Sequence, residues 1–315
     1  MAKTPPIAPT RALDNRLGIW AILMASILWG TTGTAASFGI ELSPITIGAI
    51  ATGGGGLLQA ILAYPAIKKS RNVLRQHPWF LFLGILSVAT YPLAFYSSMY
   101  FAGVTIGTVV SIGIAPLFSA LFEIVFEKKP LSKLWLISSL IGILGITLLA
   151  LAKAPATETF MRSDLDKIIG ISLGVLAGFT YALYSWIAKQ LITAGVHSKA
   201  AMGSLFGLSA MLLIPLALIT GSGFFDHGIN TAIALYMVLV PMFLGYLLFA
   251  FGLQTISTSR AVTLTLFEPF VATLLAIIVV GERLTGLGII GLIAIFISIV
   301  LLSRPEPSRA SRQTN

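Results

Sequence analysis

The sequence predicts an all-α polytopic membrane protein: ten transmembrane helices as two inverted five-helix repeats, with both termini in the cytoplasm. Three observations lead to this fold class. The 315 residues are 57% hydrophobic and only 10% charged, and the mean hydropathy is +0.95. Long apolar runs recur along the chain, and basic residues gather at alternate ends of these runs. A soluble domain carries roughly 25% charged residues, so the composition excludes a cytosolic enzyme, a disordered chain and a nucleic-acid-binding protein.

Ten apolar runs are long enough to be transmembrane helices, because a bilayer core about 30 Å thick requires roughly 20 apolar residues per helix. The predicted spans are residues 17–38, 44–66, 79–102, 104–126, 133–152, 168–190, 198–220, 231–253, 258–280 and 286–303. Basic residues and proline mark several of their ends.

The net charge of +9 indicates topology rather than an acidic partner. With the N-terminus in the cytoplasm, sixteen of the twenty lysines and arginines fall on the cytoplasmic side, as the positive-inside rule requires. The four on the opposite side are Lys153, Arg162, Lys167 and Arg283.

An internal repeat relates residues 17–152 to residues 168–303. A shift of 153 residues places Val109–Pro116 (VVSIGIAP) on Val262–Pro269 (VTLTLFEP), so each half has a proline at an equivalent depth. Chance similarity between apolar helices is the alternative. Five spans is an odd number, so the second repeat must be inverted. The remaining segments are a cytoplasmic tail at 1–16, a periplasmic connector at 153–167 and a cytoplasmic tail at 304–315.

Two segments resemble the signatures of the EamA-type drug/metabolite transporter (DMT) superfamily. Tyr96–Leu131 is similar to the first-repeat signature, and Gly252–Leu284 is similar to the second, with its Glu-Pro at 268–269 and its closing Gly-Glu-Arg-Leu. Leu28–Gly30 (LWG) is also typical. Within this superfamily, the chain resembles the bacterial YddG-type exporters of aromatic and other neutral amino acids. The first half has Phe126–Lys129 (FEKK) where the family tends to show Gly-Glu, so Glu127 is not expected to share the role of Glu282.

The resemblance implies secondary active export of small metabolites across the bacterial inner membrane by alternating access. It also implies that spans 1–4 and 6–9 enclose a cavity, with spans 5 and 10 at the periphery. Aromatic and other neutral amino acids are the expected substrates. An exporter of drugs or other metabolites, or a passive facilitator or channel, is the alternative. The expected partners are the amino acid, the lipid bilayer and, where transport is coupled, protons. No nucleic acid is expected, and the oligomeric state stays open, a functional monomer being compatible with the sequence.

Two acids lie within predicted spans, where an ionisable side chain costs about 2.5–3.5 kcal/mol and marks function by default. Glu268 lies about ten residues into the ninth span, roughly 13–15 Å deep. It is predicted to bind a substrate ammonium group or a coupling proton. The alternative is that its carboxyl hydrogen-bonds a backbone carbonyl freed by Pro269. Glu123 lies one turn from the cytoplasmic end of the fourth span and is expected to extend to the membrane interface.

Two prolines, Pro116 and Pro269, are expected to break the fourth and ninth helices near the midplane. They are predicted to be hinges on which one half moves against the other. A static kink, accommodated by packing, is the alternative.

Polar aromatic residues within the spans are the other candidates for substrate binding, because a buried hydroxyl or indole N–H needs a partner. The predicted substrate-binding set is Trp29, Tyr91, Tyr96, Tyr100, Tyr181, Trp186, Tyr246, Gln254 and Glu268. Aromatic residues at span ends are assigned instead to interfacial belts; they are Trp20, Trp79, Trp135 and Tyr236.

The sequence contains no residues in a spacing typical of an enzyme's catalytic site. There are no cysteines, and the three histidines lie in connectors without a metal-ligand or catalytic spacing. The run Gly53–Gly56 lacks the lysine of a phosphate-binding loop, and close helix packing is expected there instead. The sequence therefore predicts no catalytic residue, metal or cofactor, and no ATP site, so that a solute or proton gradient must drive transport.

Overall fold

The computed structural model describes residues 8–41, 43–153, 163–221, 224–281 and 283–304, and these residues are all-helical apart from short connections. The first half contains α1 (Ala8–Gly30), α2 (Thr32–Ala36), α3 (Pro44–Gln76), α4 (Pro78–Ala102), α5 (Val104–Glu127) and α6 (Lys133–Lys153). The second half contains α7 (Asp164–Thr193), α8 (Ser198–Thr220), α9 (Gly228–Met237), α10 (Tyr246–Thr255), α11 (Thr258–Leu264), α12 (Phe267–Leu275) and α13 (Gly286–Leu302). Two π-helical segments, Val238–Gly245 and Ala276–Val280, follow α9 and α12.

The prediction of an all-helical membrane protein is confirmed. Within the described residues, nine helical segments are long and apolar enough to cross a membrane, and the 17-residue α13 follows as a shorter apolar helix. Residues 1–7 and 305–315 of the tails, most of the connector at 153–167 and Glu282 lie outside the described residues, as do Lys3, Arg162, Arg309 and Arg312 of the charge assignment; residues 8–16 of the predicted N-terminal tail belong to α1.

The second span is longer than predicted. Helix α3 has 33 residues, about 50 Å, and continues ten residues past the predicted end at 66. Its last turns carry Lys68, Lys69, Arg71 and Arg75. The helix continues beyond the predicted span because basic side chains mark where a helix leaves the bilayer, not where it stops. The helix ends at Gln76, two residues before Pro78, and a proline disfavours helical geometry in the residue before it.

Helix pairing follows the two halves. Helix α4 packs against α7, and the equivalent pair in the other half is α10 against α1. Helix α5 also packs against α7, and the equivalent pair is α12 against α1. The second and seventh spans (α3 and α8) contact each other, as do the fifth and tenth (α6 and α13). Exchanging span n with span n+5 maps the α4–α7 and α5–α7 pairs onto their counterparts, and it maps α3–α8 and α6–α13 each onto itself, as a two-fold axis between two repeats requires.

The Gly53–Gly56 run is a packing surface, as predicted. A Cβ added at Gly55 would lie 2.6 Å from Cβ of Met242, and one at Gly56 would lie 2.4 Å from the carbonyl oxygen of Phe206. Real Cβ atoms do not approach so closely. The glycines therefore allow α3 to lie directly on the backbones of α8 and of the π segment.

Only one of the two predicted helix breaks is present. Helix α5 continues through Pro116 without interruption, so the break predicted there is wrong. The ninth span is interrupted at Thr265 and Leu266, four and three residues before Pro269. Proline lacks the N–H that would bond to the carbonyl four residues earlier. The Thr265 carbonyl accepts instead from the backbone N–H of Glu268, at 2.9 Å.

We expect Gly56→Ala to destabilise the protein, because the added methyl overlaps the Phe206 carbonyl oxygen. Overpacking of this kind costs about 1–3 kcal/mol, which thermal unfolding in detergent micelles would record as a melting temperature several degrees lower. Gly33→Ala is the matched control, since no heavy atom lies within 4 Å of a Cβ built there. Equal melting temperatures for the two variants would contradict the packing role of Gly56.

Candidate functional site

A central cavity brings six of the predicted substrate-binding residues together. They are Trp29, Tyr91, Tyr96, Tyr181, Tyr246 and Glu268. They come from α1, α4, α7, α10 and α12, so both halves contribute. The volume of the cavity is about 70 Å³.

Three predicted residues lie outside this cavity. Tyr100 is 73% exposed, the Trp186 indole donates to Oε1 of Glu127 at 2.9 Å, and the Gln254 amide donates to Oγ of Ser198 at 2.8 Å. Gln254 follows Tyr246 by eight residues and therefore lies on the same helix face. A shared face is not a shared depth, because eight residues advance about 12 Å along a helix. We therefore do not include these three residues in the candidate site.

Several cavity residues were not recognised from the sequence. Thr52 and Gly48 of α3, Phe95 of α4, and Met237 and Met242 at the π segment line the cavity. Small and apolar residues carry no signal of function in a membrane helix, since most of them face lipid or other helices. Of the spans expected to enclose the cavity, the fourth and seventh supply no lining residue among the described ones, so that part of the expectation is wrong. The fifth and tenth supply none either, in agreement with a peripheral position.

The aromatic residues form a connected cluster in which most polar atoms are already paired. The hydroxyl of Tyr246 lies 2.9 Å from that of Tyr184, and the Tyr181 hydroxyl lies 2.9 Å from Oγ1 of Thr265. The Trp29 indole donates to the carbonyl of Pro241 at 2.9 Å, and its ring centroid lies 4.8 Å from that of Tyr246. These rings are held in place and present faces rather than free polar groups to the cavity.

Two tyrosine hydroxyls in the cavity remain available. The structure gives Tyr91 ring contacts with Phe95 and Tyr181 and Tyr96 a ring contact with Phe95. Within the described part of the chain, neither hydroxyl has a hydrogen-bond partner. Each can donate to, or accept from, a bound solute.

Glu268 lies in the first turn of α12 and is the only acid among the described lining residues, which include no base. Its carboxyl makes no hydrogen bond or ion pair with the described residues. The alternative in which it bonds a carbonyl freed by Pro269 is not found among the described residues: the Thr265 carbonyl accepts from the backbone N–H of Glu268, and no bond joins it to the carboxyl. Gly30 allows α1 to approach this turn, since a Cβ there would lie 2.9 Å from the Glu268 carbonyl oxygen. The carboxyl therefore faces the cavity without a partner in the described part of the chain.

Glu123 does not extend to the membrane interface, and that prediction is wrong. It is only 4% exposed, and its carboxylate accepts from the backbone N–H and from Oγ of Ser259, at 2.9 and 2.7 Å. The first turn of a helix leaves its N–H groups unpaired, and α11 begins beside Glu123. The bonds connect the fourth span to the ninth.

Further polar bonds close the same end of the bundle. Glu127 accepts from Gln190 at 2.6 Å and pairs with Lys129, and Lys189 donates to the Leu253 carbonyl at 2.6 Å. By the charge rule this is the cytoplasmic end. The cavity lies nearer the other end, where Gly48 is the fifth residue of α3.

The residues assigned to interfacial belts are placed differently from one another. Trp20 and Trp79 are exposed. Trp135 is buried, and its indole donates to Oγ1 of Thr263 at 3.1 Å, so the belt assignment is wrong for this residue. Tyr236 is half-buried, with its hydroxyl 2.7 Å from Oγ1 of Thr31.

Comparison with known proteins agrees with the repeat. Residues 16–151 and 168–304 each match the EamA-like transporter family. The uncharacterized transporter YwfM of Bacillus subtilis is 29% identical over 288 residues, which cover 90% of this chain and 92% of that protein. The threonine/homoserine exporter RhtA of Salmonella typhimurium is 26% identical over 229 residues, covering 72% and 68%. A protein of known crystal structure, 18% identical, superposes with a TM-score of 0.75 over 95% of this chain and 99% of its own.

We expect a cysteine placed in the cavity to react with a water-soluble, membrane-impermeant thiol reagent from one side only. The natural chain has no cysteine, so Thr52→Cys reports on the cavity alone. Labelling should occur from the side of the connector between α1 and α3, because polar bonds close the opposite end. Ser209→Cys, fully buried in α8 and away from the cavity, is the control and should stay unlabelled. Reaction of Thr52→Cys only from the opposite side would contradict this geometry.

Proposed function

This chain belongs to the EamA-like transporter family, and on that premise we propose that it is a secondary active exporter of neutral amino acids, aromatic ones included. Family membership makes it a multi-pass membrane transporter and not an enzyme. Amino acids as substrates are supported by the similarity to threonine/homoserine exporters, and the bacterial cytoplasmic membrane by the bacterial relatives. The resemblance to YddG-type exporters supports the aromatic members of the substrate class.

The unpartnered carboxyl of Glu268 carries this proposal. A solute entering the cavity meets one acid, no base among the described residues, and the faces of several aromatic rings. An ammonium group is the complement of such a site, because a carboxylate accepts its hydrogen bonds and ring faces attract cations. Every amino acid presents this group. Phosphorylated solutes would require inward-facing arginines or lysines.

The free hydroxyls of Tyr91 and Tyr96 complete the proposed recognition. An amino acid also brings a carboxylate into the cavity, and this carboxylate needs donors. Both tyrosines are on α4, and neither hydroxyl is occupied by another described residue. We assign the substrate carboxylate to these hydroxyls and the neutral or aromatic side chain to the surrounding rings.

Alternating access would require the bonded end to open. Glu123–Ser259 and the Glu127 cluster would separate as the other end closes, and the interruption at Thr265 and Leu266 supports Pro269 as a pivot. Pro116, in a continuous helix, has less support as a hinge. The driving force would be the solute gradient, or a proton gradient if Glu268 exchanges its ligand for a proton.

We expect Glu268→Gln to weaken amino-acid transport roughly 10–100-fold, the loss that corresponds to about 1.5–3 kcal/mol for a hydrogen bond to a charged group. Counterflow of a labelled amino acid in proteoliposomes, with and without a pH gradient, measures this effect and also separates a carrier from a channel. Glu41→Gln, which changes an exposed acid outside the cavity, is the matched control.

Each result distinguishes between the alternatives for Glu268. A fully active Glu268→Gln variant, insensitive to pH, would overturn the role of the carboxyl. If amines without a carboxylate compete better than amino acids, the substrates are cationic drugs or metabolites of the wider superfamily. If no amino acid is transported or competes, the substrate class is wrong.

Tyr91→Phe and Tyr96→Phe should discriminate between amino acids and their decarboxylated amines. Loss of one neutral hydrogen bond costs about 0.5–1.5 kcal/mol, so each variant should raise the half-saturation concentration for the amino acid by roughly 2–10-fold. The value for the matching amine should not change. Tyr100→Phe, on the exposed face of α4, is the control. Equal effects on the amino acid and the amine would exclude these hydroxyls as the carboxylate site.

A further inference from the structure

The eighth span differs from its counterpart in the first half. It runs from Gly228 to Thr255 and contains the π segment Val238–Gly245 between α9 and α10. Its counterpart, α4, is a regular α-helix over its full length, although it also contains an internal proline, Pro92. Proline alone therefore does not account for the π segment. Such segments are rare and are frequent at functional sites.

Two side chains of the first half hold this π segment at consecutive carbonyls. The Trp29 indole donates to the carbonyl of Pro241, and the Gln59 amide donates to the carbonyl of Met242, both at 2.9 Å. In a membrane helix the backbone groups normally pair within the helix itself. Here two of them also accept bonds from α1 and α3.

Gln59 is a costly residue at its position. It lies in the middle of α3 and is only 1% exposed. A buried amide without a hydrogen bond is unfavourable by several kcal/mol. Its Nε2 is satisfied only by the Met242 carbonyl, and its Oε1 has no partner in the described structure. Gln59 therefore makes one hydrogen bond, to the π segment, and leaves its buried carbonyl oxygen unpaired within the described residues.

The close contact with the π segment depends on two glycines, which have no side chain to separate the helices. A Cβ at Gly54 would lie 2.7 Å from Cγ2 of Val238, and one at Gly245 would lie 2.7 Å from Nε1 of Trp29. These glycines allow α1 and α3 to approach the π segment closely enough for both hydrogen bonds.

The π segment determines how Met242 and Tyr246 face the cavity. Met237 precedes it, Met242 lies within it and Tyr246 follows it, and all three line the cavity. A return to regular α-helical register would move each following residue by one position, about 100° around the helix axis. Tyr246 would then leave the cavity wall.

We infer that Gln59, together with Trp29, is a positioning residue of the cavity. It holds the π register of the eighth span and thereby the direction in which Met242 and Tyr246 face the solute. The inference rests on the proposed function where it concerns transport. Its structural half can be tested without any substrate.

The structural test uses methionine methyl NMR of the full-length protein in lipid nanodiscs. In Gln59→Leu, the ¹³C-methyl resonance of Met242, assigned with Met242→Leu, should shift, while that of the exposed Met211 should not. Gln190→Leu is the matched control, because it also removes a hydrogen bond of a partly buried side-chain amide, the one to Glu127, but at a position away from the π segment. If Gln59→Leu does not fold, Gln59→Asn replaces it, since its amide is one methylene too short for the Met242 carbonyl. An unchanged Met242 resonance overturns the inference.

The transport test measures a different consequence. Gln59→Leu should raise the half-saturation concentration for amino acids roughly 2–10-fold, as loss of one hydrogen bond predicts, with a smaller change in the maximal rate. A purely structural role would instead lower the amount of active protein and leave the half-saturation concentration unchanged. A shifted Met242 resonance with unaltered transport supports the positioning of the π segment and overturns its effect on transport, whereas the proposed function itself is tested by Glu268→Gln.

Discussion

The absence of water in the bilayer core is the constraint on which the rest of this structure depends. Every backbone polar group within a span must find its partner in the protein, and a buried polar side chain that finds none is unfavourable. Hydroxyls such as that of Ser209 return to a carbonyl of their own helix, here Leu205 at 2.7 Å. The two helix irregularities that border the cavity follow the same rule, since the π segment receives donors from Trp29 and Gln59 and the turn before Pro269 is completed by the Glu268 N–H.

The same constraint separates structural charges from the functional candidate. Glu123 is satisfied at the beginning of α11, Lys189 at the end of α10 and Arg260 at the end of α13, by the carbonyls of Leu302 and Arg304. Each charge joins two helices at the bonded end of the bundle. Within the described residues, the Glu268 carboxyl has no such partner, and it is the one charge that faces the cavity. In the proposed function, the ammonium group of the solute would be the partner of this carboxyl.

The two prolines show why a repeated residue does not produce a repeated structure. Four residues before Pro269 is Thr265, whose hydroxyl bonds to the Val262 carbonyl and to the Tyr181 hydroxyl. These bonds support a turn at that point. Four residues before Pro116 is Ile112, which has no polar group to do so, and α5 continues as one helix. The first half therefore stays regular where the second half is interrupted beside Glu268.

The sequence by itself determined the all-helical membrane fold, the two repeats, the glycine packing surface and six residues of the cavity, because hydropathy and the cost of a deep acid are local properties of the chain. Only the tertiary structure decided which polar residues are satisfied. In the structure, Glu123 and Trp135 are bonded to the ninth span. Three predicted residues lie outside the cavity, because depth and neighbours differ between residues on one helix face; they are Tyr100, Trp186 and Gln254. The structure likewise decided that Gln59, inconspicuous in the sequence, lies against the π segment, since its partner is a backbone carbonyl 183 residues away.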